Sequence, residues 1–190
     1  MPLDVSSGLS PTLWRTCRVL ANRLRLRIFR EVAEHSGLTV SVVAKRMGIP
    51  VSVTSKYLRA LNARGLLCAS RSGADVRYRA VADRTVPGSA QLLEAILWTF
   101  QHEPQAEETI FRMSTAFTHP RRVAIIEMLE QGSLSKVELR MRIGMSQAAA
   151  GRQLAKLADR GFVTSDSGGW RRVTQKHPLA AVLARLACSG

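Results

Sequence analysis

Apolar residues recur at spacings of three and four along most of the chain, and short polar stretches interrupt them. That period predicts helices. They fall at about Pro11–Leu20, through Leu24, Leu26, Ile28, Phe29 and Val32, then at Thr39–Met47, Val51–Arg64 and Ser89–Gln101. A second series follows at Gln105–Phe117, through Val123, Ile125, Ile126, Met128 and Leu129, then at Ser133–Ile143, Gln147–Arg160 and Leu179–Ala187. Two segments change to a shorter period. Leu66–Arg71 and Val76–Ala80 flank Ser72-Gly73-Ala74-Asp75, and Phe162–Asp166 and Trp170–Thr174 flank Ser167-Gly168-Gly169, so each reads as a two-stranded ribbon. Gly48 and Gly144 lie in the turns before the fourth helix of each series, and Gly65 and Gly161 stand where a left-handed cap ends it.

The two series are one pattern written twice. At an offset of 97, Thr12–Leu20 lies over Thr109–Phe117 and Asn22–Phe29 over His119–Ile126. With one residue lost in the next loop, Ala44–Leu67 lies over Arg140–Val163, and Gly48/Gly144, Leu58/Leu154, Leu61/Leu157, Arg64/Arg160 and Gly65/Gly161 coincide. A period this long is a duplicated domain, not a solenoid. The expected division is a flexible arm at residues 1–10 and domains at 11–103 and 104–190. The expected fold is mainly α with small β-wings: two tandem winged helix-turn-helix domains forming an intrachain pseudo-dimer.

Charge narrows the partner. The 190 residues carry 28 Lys+Arg against 14 Asp+Glu, a net +14. Residues 1–90 hold 15 of the basic residues and 5 of the acidic ones. Such a balance favours an acidic partner, and with helix-turn-helix patterning that partner is double-stranded DNA. Thr54, Leu58 and Leu61, with Ala150, Leu154 and Leu157, must face the core. This leaves Ser52, Ser55, Lys56 and Arg59 outward on the first fourth helix, and Gln147, Ala148, Gly151 and Arg152 on the second. Lys45 and Arg46 close the preceding helix, and Arg71, Arg77, Arg79, Arg171 and Arg172 lie on the ribbons. Long cationic side chains can read guanine or hold phosphate, and Gln147 can read adenine. The alanine-rich second copy has fewer donors and reads equally as a structural half.

At these residues the chain resembles the ArsR (arsenic-repressor-like) family of bacterial winged-helix regulators. The family's "D-P-x-R-x-x-I-L" is approximated by Asn22–Phe29 and followed closely by His119-Pro120-Arg121-Arg122-Val123-Ala124-Ile125-Ile126. Its "L-S-Q-x-x-V-S-x-H-L-x-x-L-x-x-x-G-L" is matched by Ser146, Gln147, Leu154, Leu157 and Gly161, and by Ser55, Leu58, Leu61, Gly65 and Leu66. Pro50-Val51 replaces Ser-Gln in the first copy. Family members are single-copy homodimers joined by their first and last helices. The resemblance therefore implies that Pro11–Leu20 and Ser89–Gln101 pack on Gln105–Phe117 and Leu179–Ala187. The family's Cys-x-Cys metal motif on the third helix is absent from both copies.

Other chemistries find little support. Cys17, Cys68 and Cys188 with the four histidines form no metal-ligand spacing, so no metal or cofactor is expected, and a reducing compartment is. No catalytic constellation is visible, and the chain does not read as an enzyme. His119 and His177, each before a proline, read as helix caps. Trp14, Trp98, Phe100, Phe111 and Phe117 read as core, with a ligand pocket between the copies as the alternative. The N-terminus does not read as a secretory signal and no apolar run reaches a bilayer's thickness, so a cytoplasmic, nucleoid-associated location is expected. The function these features favour is a sequence-specific double-stranded DNA-binding transcription regulator, a repressor. The alternatives are a non-specific DNA-organising protein and a winged-helix protein-interaction adaptor. A small-molecule effector and further homodimerisation stay open.

Overall fold

The computed structural model describes residues 12–73 and 75–189. The expected arm at residues 1–10 lies outside them, as do Pro11 and Ala74. In chain order the elements are α1 (Leu13–Leu20), α2 (Arg23–Glu34), β1 (Leu38–Thr39), α3 (Val40–Met47), α4 (Val51–Asn62), β2 (Cys68–Ser72), β3 (Asp75–Arg79) and α5 (Ser89–His102). There follow α6 (Ala106–Ala116), α7 (Pro120–Met128) with a 3-10 turn (Leu129–Gln131), α8 (Lys136–Ile143), α9 (Gln147–Asp159), β4 (Val163–Asp166), β5 (Gly169–Arg172) and α10 (Pro178–Leu186).

Local chemistry sets most helix ends. Asn22, Thr39 and Ser146 accept backbone N–H groups in the first turns of α2, α3 and α9, and Ser135 with Glu138 forms a reciprocal capping box on α8. At the other end, α4 and α9 stop the same way. Gly65 and Gly161 take φ of 70° and 79°, and the N–H of Leu66 and Phe162 reaches back to the carbonyls of Leu61 and Leu157. A Cβ at Gly65 would also meet that of Val86 at 2.8 Å, so this position needs glycine for both conformation and space.

His119 and His177 cap as expected, each accepting through Nδ1 from the N–H two residues on, with Pro120 and Pro178 opening α7 and α10. Burial, then the nearby Arg122, Arg121 and Arg18 guanidinium groups, holds the His119 pKa below its ordinary 6.5. The folded protein thus binds fewer protons here than the unfolded chain. This group's contribution is complete above the unfolded pKa and is lost as pH falls below it. His119→Asn keeps a cap acceptor but cannot titrate. Calorimetry should therefore show a smaller drop in Tm for this variant than for the wild type between about pH 8 and about pH 5.

The first sheet differs from expectation. It has three strands in the order β1-β3-β2, with Leu38 opposite Tyr78 and Thr39 opposite Arg77. The added strand is two residues long, too short to show any alternation. In the second sheet β4 pairs with β5 alone, and an isolated bridge between Leu134 and Trp170 occupies the place of β1.

One apolar cluster runs from Cys17 to Ala187. Helix α1 lies against α6 and α5 against α10, with α5 also against α6. Cys17 and Ser114, in register in the sequence, are both fully buried, on α1 and α6 respectively. Phe29 meets Phe100 edge-on at 5.7 Å, and Phe117 meets Phe162 at 4.7 Å. Arg23 bonds Glu108 at 2.7 Å and lies 3.8 Å over the Phe111 ring, while Arg30 reaches Glu107 at 3.3 Å. Trp98 departs from the core reading: it is exposed and stacked on His102 at 4.5 Å. Among the described residues no helix is long and apolar enough to cross a membrane.

Candidate nucleic-acid interface

Helix α3 ends in a left-handed turn at Gly48, whose φ is 64°, and after Ile49 and Pro50 α4 begins. Thr54, Leu58 and Leu61 bury one face of α4, and the Thr54 hydroxyl is absorbed by a 3.1 Å bond to the Pro50 carbonyl. The opposite face is open. Ser52, Lys56 and Arg59 are exposed and Ser55 is half-buried. Lys45 and Arg46 are exposed at the end of α3, where Arg46 bonds Glu31 at 2.7 Å.

On the ribbon, the pairing separates the three arginines. Arg77 and Arg79 stand opposite Ser70 and Cys68, while Arg71 stands opposite Val76 on the face that carries buried Tyr78. All three are exposed. Arg77 donates to the Gly37 carbonyl at 3.1 Å, which anchors its guanidinium beside β1. Among the described residues, the ion pairs with carboxylates include none from Lys45, Lys56, Arg59, Arg71, Arg77 or Arg79.

The second half repeats the backbone with different chemistry. Gly144 turns α8 into α9, and Gln147, Ala148 and Arg152 are exposed. Ala149 and Ala150 are buried, so the alanine run offers less surface than its sequence suggests. A Cβ at Gly151 would stand 3.2 Å from the Lys136 amine. This cation borders the outward face of α9 from the start of α8, a different helix, so the spacing along α9 alone does not reveal it.

The ribbon arginines of this half are engaged. Arg171 pairs with Asp166 at 2.9 Å, and the Gly168 N–H together with Arg171 holds the Asp166 carboxyl below its ordinary range. Both side chains are exposed, so the pair is weak and exchangeable. Arg172 is half-buried, 3.4 Å from Glu130, and donates to Cys188 Sγ at 3.2 Å. Its partners lie in the 3-10 turn and just past the end of α10, away from the ribbon.

Two of the three cysteines are held as thiols. Burial raises the Cys17 thiol far above its usual range and, as the first of several causes, pushes Cys188 up to about 11. No cluster of three potential metal ligands occurs among the described residues.

Two helices about a glycine turn, then an antiparallel ribbon, with free cations along the second helix, define a helix-turn-helix unit. Comparison with known families agrees. Residues 20–67, from the end of α1 through α4, match the family described as "Helix-turn-helix domain". Residues 112–185 match the one described as "HVO_A0261 N-terminal domain". No curated protein matches the chain. The chain carries a helix-turn-helix domain of the kind found in DNA-binding regulators.

Proposed function

We propose that this protein is a sequence-specific transcription regulator of ArsR-like type that represses by occupying double-stranded DNA. The observation that carries the reading is the unpaired cationic face of α4 beside the Arg71, Arg77 and Arg79 ribbon. With 28 Lys+Arg against 14 Asp+Glu the chain has too few carboxylates to neutralise such a surface, and a duplex supplies the missing anions. In this reading α4 enters the major groove. Lys56 and Arg59 donate to guanine edges or phosphate, Ser52 and Ser55 allow close approach, and Lys45, Arg46 and the ribbon hold the backbone. Residues 11–103 and 104–190 are two winged-helix domains from one duplication. The α1–α6 and α5–α10 contacts pair them as a pseudo-dimer, and α9 presents Gln147 and Arg152, with Arg171 and Arg172 on its wing, to a second half-site.

Selection of bound duplexes from a random pool tests this. The expected result is an enriched motif of two unequal half-sites about 10 base pairs apart, centre to centre. Uniform recovery would establish the DNA-organising alternative, and no recovery at low salt the adaptor. One chain should fill one site, because fusion holds the second copy at an effective concentration in the millimolar range. Sedimentation of the complex at two chains per minimal site would overturn the intrachain pairing as the functional unit.

The halves should contribute unequally. Lys56→Ala and Arg59→Ala are expected to weaken binding more than Gln147→Ala and Arg152→Ala. A side chain that reads a base should cost about 1–3 kcal/mol and relax preference at one position. Equal losses in a titration of the four variants would show that α9 reads DNA as fully as α4.

A further inference from the structure

A cavity of about 520 Å³ lies on the seam between the two halves. Its walls come from α1, the residues after α4, the start of α5, α7 and the end of α10, with Trp14, Leu92, Val123 and Leu186 forming apolar surface. The volume is that of a drug-sized ligand site, and seams between domains are where such sites concentrate. Two charged side chains reach it, Arg64 and Glu127. Arg64 lies just beyond the Ala63 cap of α4, and its Nε is buried without a hydrogen-bond partner. Glu127 is exposed and not within ion-pair distance of it. The Trp14 ring lies beneath two further guanidinium groups, Arg15 at 5.1 Å and Arg18 at 5.7 Å to its centroid. Arg64 is thus the cation that lines a mostly apolar chamber, and Arg15 and Arg18 add positive charge behind its Trp14 wall. A buried guanidinium N–H without an acceptor is costly, and an anionic group of a ligand would remove that cost.

We propose that this chamber binds a small apolar carboxylic acid, its carboxylate on Arg64 and its hydrocarbon or aromatic body against Trp14, Leu92, Val123 and Leu186. The consequence for DNA rests on the function proposed above. Arg64 immediately precedes the Gly65 turn that ends α4, and at Gly88 a Cβ would stand 2.5 Å from Leu186 Cδ2. The chamber is thus bounded by the end of one recognition helix and by the last helix of the other half, packed with no slack. A ligand that draws Arg64 inward or parts α5 from α10 changes the spacing of α4 and α9, and with it the fit to two half-sites.

The probes are phenylacetate, 4-phenylbutyrate and octanoate, each beside its primary amide, titrated into the full chain without DNA. The readouts are the indole N–H resonance of Trp14, assigned with Trp14→Phe, and the thermal midpoint. At least one acid should give a saturable shift and a raised midpoint, and should bind at least tenfold tighter than its amide. Arg64→Gln should bring the acid down to its amide's affinity, and Ala124→Phe, which fills the chamber from α7, should abolish both. No saturable shift with any acid, equal binding of acid and amide to the wild type, or binding that survives Ala124→Phe would overturn the site. Should Arg64→Gln not fold, the acid–amide comparison and Ala124→Phe decide alone. DNA affinity is then measured with and without the tightest acid. An unchanged affinity overturns the coupling, whereas acid binding in a chain that binds no DNA overturns the regulator reading and leaves the site standing.

Discussion

Raising monovalent salt from about 50 to about 200 mM is expected to weaken duplex binding by roughly 10³ to 10⁵. The range follows from which cations meet phosphate. Lys45, Lys56, Arg59, Arg71, Arg77 and Arg79 are exposed and unpaired with carboxylates in the described structure. Six such contacts correspond to a slope of log K on log salt of about −5. Adding Lys136, Arg152, Arg171 and Arg172 takes the slope towards about −9, but this requires Arg171 to leave Asp166 and Arg172 to leave Glu130. The slope therefore reports how many halves engage. Anisotropy titrations at several salt concentrations measure it, and a slope near zero would sink the nucleic-acid reading in favour of the adaptor.

What the sequence made legible, and what it did not, divides along a physical line. Helices α4 and α9 were readable because three local signals agree at each: an apolar stripe of period near 3.6, a turn glycine ahead and a cap glycine behind. The caps at His119 and His177 were readable for the same reason, since the proline after each fixes where its helix starts. Features that depend on residues remote in sequence were not. Strand β1 exists because Leu38 and Thr39 find Tyr78 and Arg77, and nothing in two residues announces that. The separation of Arg71 from Arg77 and Arg79 required the strand register, and the engagement of Arg172 required Glu130 and the C-terminal helix to be in place. The five aromatics show the limit most clearly. They share helical spacing, but only Trp14 lines the cavity, while Phe100 and Phe117 are core and Phe111 lies under Arg23. Periodicity identifies a buried face without identifying its neighbour.

Phe29→Ala should be the most destabilising of the core truncations, and its effect should not stop at the first half. Phe29 is fully buried in α2, edge-on to Phe100 of α5. Removing such a ring costs about 3–5 kcal/mol through lost transfer energy and the cavity left behind. At about 2–4 °C per kcal/mol for a chain of this size, Tm should fall by roughly 6–20 °C. Helix α5 also packs on α6 and α10, and the apolar cluster is continuous across the molecule. The loss should therefore reach the second half undiminished. Two variants, one retaining only Trp14 and the other only Trp170, report the two halves separately, and Phe29→Ala should lower both transitions by the same amount. A Trp170 transition that stays in place while that of Trp14 falls would show halves that unfold independently. Such halves could not hold α4 and α9 at the fixed separation that the proposed occupation of two half-sites by one chain requires.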